Sequence, residues 1–246
     1  MTKPITVYCI PFAGGGKHSF RGYQDKAPAS LNLEMVELPG RGMRITEPLV
    51  GTMEEMADDL VAQLRPRIKA ETQPYAIYGH SIGSVLTYMV TCRLIREGLP
   101  LPIHLFVTGA KGPSEARKER KLSGLSDAEF TVELVKLGGV PQEVADNEEL
   151  MQFFLPILRA DFRAIEEYTY EQLTPKMDIP VLSITGSEEN ITPAQAGTWQ
   201  DVTTGTFTHR VMTGDHFFIY QHEKEILNLI DQYLQEVVAD QLASRT

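Results

Sequence analysis

The residues that most favour chemistry in this sequence are a serine and the two glycines that flank it. Segment 79–83 reads GHSIG, which has the pattern G-x-S-x-G, and it follows the apolar run 75–78. A helical pattern begins at Ile82. A strand, a sharp turn and a helix in this order expose the serine hydroxyl, and the small glycines leave room for the turn. We therefore predict that Ser81 is a nucleophile and that the backbone N–H of Ile82 stabilises an oxyanion.

A glycine-rich loop near the N-terminus predicts the second donor of an oxyanion hole. Segment 11–16 reads PFAGGG and follows the apolar run 5–10. Such a donor comes from the loop after an early strand, and glycine lets the backbone approach a substrate closely. A phosphate-binding loop is the alternative, but neither the G-x-x-x-x-G-K-[ST] nor the G-x-G-x-x-G spacing is present. We predict that the N–H of Phe12 or Ala13 is the second donor.

The general base is expected late in the chain. In hydrolases with a serine at this kind of turn, the order along the chain is serine, acid, histidine. Six histidines are present, and His216 lies in the loop between the predicted strand at 207–212 and the last helical pattern. Of the others, His80 is next to Ser81, His104 and His209 lie at or within predicted strands, and His222 opens the last helix. His216 is therefore the predicted base.

The acid that orients the histidine is expected in the loop after the apolar run 181–185. Segment 186–193 reads GSEENITP, so this loop offers Glu188 and Glu189 but no aspartate. Glutamate fills this role in some hydrolases of this type. Asp161 and Asp215 are the alternatives if both loop glutamates are only solvated surface residues.

Short apolar runs alternate with helical patterns, which predicts a parallel sheet with crossover helices. The strands are expected at 5–10, 33–38, 75–78, 103–108, 181–185 and 207–212, and the helices at 54–68, 82–97 and 223–238. Together with the serine turn, this order predicts an α/β-hydrolase fold in which a mostly parallel central sheet is flanked by helices. We expect residues 1–246 to form one domain.

Segment 112–175 has no convincing strand pattern and is expected to be an all-helical insertion. One helix starts at Ser126 and Asp127 and ends at glycines 138–139. A second starts near Asn147, and Pro156 is expected to kink or divide it. We predict that the insertion, at approximately 112–175, is a lid over the active site. The alternative is a helical excursion that only covers the sheet.

Composition and charge narrow the classes of function. The chain is 42% hydrophobic and 23% charged, which is typical of a globular protein. The net charge of −10 argues against binding to nucleic acid or to an anionic membrane. Neither an export signal nor an 18-residue apolar stretch is evident. Cys9 and Cys92 lie in apolar stretches, and no Cys/His cluster has zinc spacing. We expect a cytoplasmic protein, a monomer, with buried reduced thiols and no metal.

Several segments together resemble the type II thioesterases, the discrete editing hydrolases of nonribosomal peptide and polyketide synthases. The matching segments are PFAGG at 11–15, ELPGRG at 37–42 followed by Arg44, GHSIG at 79–83, GGVP at 138–141, LPILRAD at 155–161 and GDHFF at 214–218. The family usually has an aspartate three residues after the glycine that ends the acid strand. Counted from Gly186, that position is Glu189, and Trp199 at thirteen residues past Gly186 supports this register, so the resemblance names Glu189 as the acid. Asp215 stands where the family often has glycine.

The resemblance implies that the substrate is an acyl thioester on the phosphopantetheine arm of a carrier domain, with no separate cofactor. The basic residues Arg117, Lys118, Arg120 and Lys121 are either a contact for an acidic carrier domain or a solvated charged stretch. Three other functions stay open at this point. They are a general carboxylesterase, a noncatalytic partner of a synthase, and acyl transfer to an acceptor other than water.

Overall fold

The strands that carry the predicted site are mostly apolar, as is typical of strands covered on both faces. The computed structural model describes residues 3–70, 73–115 and 120–243. It contains the strands β1 (Ile5–Ile10), β2 (Leu31–Met35), β3 (Tyr75–His80), β4 (Leu105–Thr108), β5 (Val181–Gly186) and β6 (Phe207–Met212). Every residue of β1, β3, β4 and β5 is buried.

All neighbouring strands pair in parallel, in the order β2-β1-β3-β4-β5-β6. The described helices are α1 (Arg21–Lys26), α2 (Met53–Ala70), α3 (Ile82–Arg96), α4 (Asp127–Lys136), α5 (Gln142–Ala145), α6 (Glu148–Glu167), α7 (Pro193–Gly197), α8 (Phe218–Gln221) and α9 (Glu223–Ala243). Short 3₁₀ helices cover Lys17–Phe20, Gly42–Arg44 and Thr198–Val202. This arrangement is the predicted α/β-hydrolase fold, and every strand pair described is parallel.

The strand order reverses at β1, because β2 lies on one side of it and β3 on the other. In open α/β sheets, ligands bind outside the carboxyl ends of the strands at such a reversal. Ile10 pairs with Gly79, so β1 and β3 end at the same level. The glycine-rich loop after β1 and the serine turn after β3 therefore face one crevice.

Close packing of α3 against β1 brings the serine turn to this crevice. A Cβ on Gly83, in the first turn of α3, would lie 2.3 Å from the carbonyl oxygen of Ile10. Only a glycine leaves room for that backbone contact. The glycine pattern of the sequence is thus explained by the distance between a helix and a strand.

The described part of segment 112–175 contains three helices, α4, α5 and α6, and no strand. Ser126 and Glu129 form a capping box that starts α4. Pro156 lies inside α6 and does not divide it, so the expected division is wrong, whereas a kink at this proline stays a prediction. The insertion has an apolar core of its own, formed by Phe130, Leu134, Val140, Met151 and Leu158.

The predicted boundaries differ from the observed ones mainly at β2 and α9. The strand expected at 33–38 is β2 at Leu31–Met35, because the chain leaves the sheet after Met35 although Val36 and Leu38 stay buried.

Cys9 and Cys92 are both free and buried, as expected. Of the basic residues in the insertion, Arg120 and Lys121 are exposed, whereas Arg117 and Lys118 lie outside the described residues.

The contact between α3 and β1 can be tested with Gly83→Ala. The added methyl group would meet backbone atoms of β1, so we expect a loss of about 2 kcal/mol or more in the free energy of unfolding. Gly197→Ala is the matched control, because no atom of the described chain lies within 4 Å of a Cβ there. The control should leave stability unchanged or raise it by up to about 1 kcal/mol. Urea unfolding measures both, and equal losses would contradict the packing argument.

Candidate active site

Ser81 occupies a strained turn between β3 and α3. Its backbone has φ 58° and ψ −119°, and it is the one non-glycine residue of the described chain with a positive φ. A conformation of this kind costs about 1–3 kcal/mol and persists only where the surroundings enforce it. Glycines on both sides make the turn feasible, since a Cβ on Gly79 would lie 2.2 Å from the carbonyl oxygen of Gly83.

Hydrogen bonds from β4 and α3 hold the turn in place. The N–H of Ser81 donates to the carbonyl oxygen of Thr108 at 2.8 Å. The Ser84 hydroxyl lies 2.8 Å from the carbonyl oxygen of Gly79 and 2.9 Å from that of Thr108. Ser84 is completely buried, so these bonds are shielded from water. No sequence pattern indicated that Thr108 and Ser84 hold the turn, because a serine or threonine next to an apolar run has many possible partners.

The predicted base and one predicted acid are in direct contact. His216 Nδ1 lies 2.6 Å from Glu189 Oε1. The second carboxylate oxygen of Glu189 accepts the N–H of Gly186 at 2.6 Å. A carboxylate can only accept hydrogen bonds, so this contact places the proton of the neutral imidazole on Nδ1 and leaves Nε2 free to accept one.

The two loops that carry these residues are joined through their backbones. Ser187 N–H donates to the carbonyl oxygen of Met212 at 2.7 Å, and Glu188 N–H donates to that of Gly214 at 2.9 Å. Both loops follow neighbouring strands, because β5 and β6 pair in register up to Gly186 and Met212. The Glu189 side chain is only 2% exposed and that of His216 is 26% exposed. The pair is therefore held rigidly, and the imidazole remains accessible.

The other candidate acids have different partners. Asp161 binds the guanidinium of Arg41 through both carboxylate oxygens, at 2.6 and 2.8 Å. Asp215 accepts the N–H of Phe217 at 2.8 Å. Glu188 is exposed and lines the cavity described below. Of the four carboxylates that the sequence left open, Glu189 is the one hydrogen-bonded to His216.

His80, next to the nucleophile in sequence, packs against the base. The centroids of the His80 and His216 rings are 4.9 Å apart. His80 is fully buried, and its Nδ1 lies 2.9 Å from the Thr108 hydroxyl. Burial, and then the nearby His216 imidazole, lower the pKa of His80 well below its usual value. His80 is thus a neutral imidazole that supports the ring of His216, a contact that sequence analysis missed.

The predicted oxyanion donors belong to two segments, the loop after β1 and the start of α3. Ile82 begins α3, and the first N–H groups of a helix have no partner within the helix. In the described chain, neither the Ile82 N–H nor the Ala13 N–H donates a hydrogen bond. Phe12, Ala13, Ile82 and Ser81 all line one cavity. Two unused donors beside a serine hydroxyl can stabilise a developing oxyanion.

This cavity has a volume of about 460 Å³ and lies between the sheet loops and the insertion. Ser81, Glu189 and His216 line it. The insertion contributes mainly apolar side chains, Leu134, Leu137, Leu158, Phe162 and Ile165, with Lys136 as its charged member. The site therefore combines a serine at a strained turn, a hydrogen-bonded pair of histidine and glutamate, and an apolar chamber, an arrangement that can support acyl transfer through a serine.

Two other properties concern metals and membranes. No group of three or more side chains in the described residues could hold a metal ion. Within the same residues, no helix is long and apolar enough to cross a membrane.

The model of the thioesterase domain family matches residues 5–234. This chain belongs to that family. Linear gramicidin dehydrogenase LgrE of Brevibacillus parabrevis is 31% identical over 94% of this chain and 88% of its own length. The crystal structure of ClbQ from the colibactin NRPS/PKS pathway has a TM-score of 0.89, with 30% identity over 96% of this chain and 99% of that chain. YbtT, a type II thioesterase from the yersiniabactin NRPS/PKS biosynthetic pathway, has a TM-score of 0.86, with 30% identity over 96% and 94%. The family resemblance stated from the sequence is confirmed.

The contact between Glu189 and His216 leads to a prediction for this family member. Glu189→Gln keeps the size of the side chain but removes its charge, so the imidazole loses its preferred tautomer and its stabilisation when protonated. We expect kcat for a thioester to fall by about 10³- to 10⁴-fold.

Glu188→Gln is the matched control, because Glu188 is the neighbouring loop residue and its carboxylate does not bond His216. Its kcat should stay within about threefold of the parent value. Steady-state kinetics of the two purified variants measures both values of kcat. Similar losses in both, or a loss confined to Glu188→Gln, would move the acid to another residue.

Proposed function

We propose that this chain is a type II thioesterase. It hydrolyses acyl thioesters on the phosphopantetheine arm of carrier domains and so clears stalled acyl groups from nonribosomal peptide or polyketide synthases. The observation that carries the proposal is that Ser81 and the bonded pair His216–Glu189 line one cavity beneath a helical insertion. The names of the relatives ClbQ and YbtT place those proteins in NRPS/PKS pathways, which supports the same substrate class here.

Acylation of the serine is the first half of the proposed reaction. His216 Nε2 takes the proton of Ser81 while Oγ attacks the thioester carbonyl carbon. The carbonyl oxygen becomes an oxyanion, and the N–H groups of Ile82 and Ala13 or Phe12 stabilise it. Collapse of this intermediate breaks the carbon–sulfur bond. The proton on His216 goes to the sulfur, so the carrier arm leaves as a free thiol.

Hydrolysis of the acyl-serine is the second half. A water molecule gives a proton to His216 Nε2 and attacks the same carbonyl carbon. The second oxyanion collapses, the bond to Ser81 Oγ breaks, and His216 returns the proton to the serine. The products are a carboxylic acid and the original enzyme. Glu189 stabilises the imidazolium in both halves because its carboxylate lies 2.6 Å from Nδ1.

The shape and lining of the cavity agree with an acyl substrate. Leu134, Leu158, Phe162 and Ile165 present apolar surface to the chamber, where an acyl chain is desolvated favourably. We propose that the insertion acts as the lid of this chamber and that the arm of the carrier domain supplies the thioester, without a separate cofactor. On the sequence features given above, we also propose a monomer that works beside the synthase in the cytoplasm.

The name of LgrE denotes a dehydrogenase, but this chain lacks the features of a dinucleotide-binding site. The loop at 11–16 lacks the G-x-G-x-x-G spacing that binds a dinucleotide. The strand order 2-1-3-4-5-6 also differs from the 3-2-1-4-5-6 order of the dinucleotide-binding fold. The side chains at the cavity are instead those of serine-dependent acyl transfer.

The proposal is tested by comparing hydrolysis of an acetyl-loaded carrier domain by the parent protein and by Ser81→Ala. Loss of the nucleophile should reduce carrier deacylation by on the order of 10⁴-fold or more. Ser183→Ala is the matched control, because the Ser183 hydroxyl is buried and has no hydrogen-bond partner in the described chain. It should hydrolyse the loaded carrier at the parent rate. Release of acetate and mass spectrometry of the carrier arm are the measurements.

A p-nitrophenyl ester run in parallel separates the alternatives. Turnover of this ester without carrier deacylation would indicate a general carboxylesterase. Binding to the carrier with no hydrolysis by the parent would indicate a noncatalytic partner. Consumption of the loaded carrier without an equal amount of free acetate would indicate acyl transfer to another acceptor.

A further inference from the structure

One carboxylate of the insertion contacts the loop that carries the second oxyanion donor. Asp161 lies in α6, and its Oδ2 accepts the backbone N–H of Gly14 at 2.7 Å. The same oxygen lies 2.6 Å from Nη1 of Arg41, and Oδ1 lies 2.8 Å from Nη2. Gly14 directly follows Ala13, which with Phe12 is one of the two proposed donors of this loop. Asp161 thus binds the peptide group adjacent to the proposed oxyanion hole.

Burial makes this contact specific. Arg41 is 3% exposed and Asp161 is 1% exposed, so neither charge is solvated by bulk water. A guanidinium that binds both oxygens of a carboxylate fixes the orientation of the carboxylate plane. With that plane fixed, the hydrogen bond to Gly14 has one geometry. The pair therefore orients the peptide of Gly14 rather than only screening a charge.

Close packing against α6 restricts the same peptide further. Gly14 has φ +74°, and a Cβ there would lie 2.5 Å from Cδ2 of Leu158, which also belongs to α6. Further along the loop, Glu37 Oε1 accepts the N–H of Lys17 at 3.0 Å, and its Oε2 accepts that of Met43 at 2.8 Å. Asp161 thus holds the middle of the glycine-rich loop, and Glu37 holds the residue that follows its last glycine.

We propose that Asp161, oriented by Arg41, is the positioning residue of the oxyanion hole. It fixes the backbone of loop 11–16 so that the Ala13 N–H points at the developing oxyanion. This inference rests on the proposed function for the role of Ala13. It also means that one carboxylate sets both the position of α6 and the geometry of the donor, because α6 and the loop are joined through it.

The direct test is Asp161→Asn. The amide can still accept one hydrogen bond but can no longer bind the guanidinium as a charged, two-pronged partner. A misplaced oxyanion donor costs about 10²-fold, and a lost donor about 10²- to 10³-fold. We expect kcat for acetyl-pantetheine thioester to fall by about 10²-fold, with KM changed less than about threefold.

Asp127→Asn is the matched control. Asp127 belongs to α4 of the same insertion and pairs with Arg159 of α6 at 2.5 Å, but its side chain is exposed and does not reach the glycine-rich loop. Its loss should leave kcat within about threefold of the parent value, since exposed ion pairs contribute little. A fall of kcat in both variants by the same factor would assign the effect to the insertion as a whole and would overturn the role of Asp161.

Labelling of Ser81 by a fluorophosphonate gives a readout that does not need a thioester. Its phosphoryl oxygen takes the place of the oxyanion during attack by the serine, so the labelling rate constant depends on the same donors. We expect the labelling rate constant of Asp161→Asn to fall by the same factor as kcat. A merely structural role would lower the labelled fraction and leave the rate constant of the folded fraction unchanged, and that result would overturn the inference.

Arg41→Lys is a second variant, which tests the same inference if Asp161→Asn does not fold. Lysine retains a charge beside Asp161 but not the planar fork, so we expect about a tenfold fall in the labelling rate constant. A parent-like rate constant would overturn the inference. A parent protein that is labelled at Ser81 but hydrolyses no thioester overturns the proposed function alone, and the labelling ratios still decide the role of Asp161. A parent that resists labelling overturns both.

Discussion

The site depends on one backbone constraint, the positive φ at Ser81. The strain is acceptable because Gly79 and Gly83 leave space that a side chain would fill, and because β4 accepts the serine N–H. With the turn fixed, the serine hydroxyl, the start of α3 and the Ile82 N–H all face the end of the sheet. A relaxed backbone at Ser81 would separate the nucleophile from the donor that follows it.

Parallel pairing brings the remaining groups to the same end of the sheet. The loops after β1, β3, β5 and β6 all leave from carboxyl ends, so residues far apart in sequence meet in one crevice. The contact of His216 with Glu189 depends on the in-register pairing of β5 with β6 and on two backbone bonds between their loops. The buried, neutral ring of His80 packs against the ring of His216.

The insertion has its own apolar core and also contacts the glycine-rich loop. Its own apolar core stabilises its helices, while Asp161 connects it to Arg41 and to the glycine-rich loop. A buried ion pair is a poor source of net stability, because desolvation offsets most of the attraction. Its value lies in geometry, since two planar groups that bind through both arms permit little rotation. The insertion that lines the cavity and the glycine-rich loop are therefore coupled mechanically by a contact between residues 120 positions apart.

The sequence by itself determined the local elements and the order of the chemical groups. Short, mostly apolar runs predicted all six strands to within three residues at each end, because burial against helices on both faces of a sheet favours such runs. The spacing of G-x-S-x-G and the late histidine indicated Ser81 and His216 for the same local reasons. The loop after the run at 181–185 favoured Glu188 and Glu189, the family resemblance named Glu189, and Asp161 and Asp215 stayed as alternatives, since nothing in a local pattern says which loop meets the imidazole. Tertiary structure separated them, with Glu189 on His216 and Asp161 on Arg41. Such contacts join distant segments, so they are decided by how the strands pair and how α6 packs, and these are properties of the whole fold.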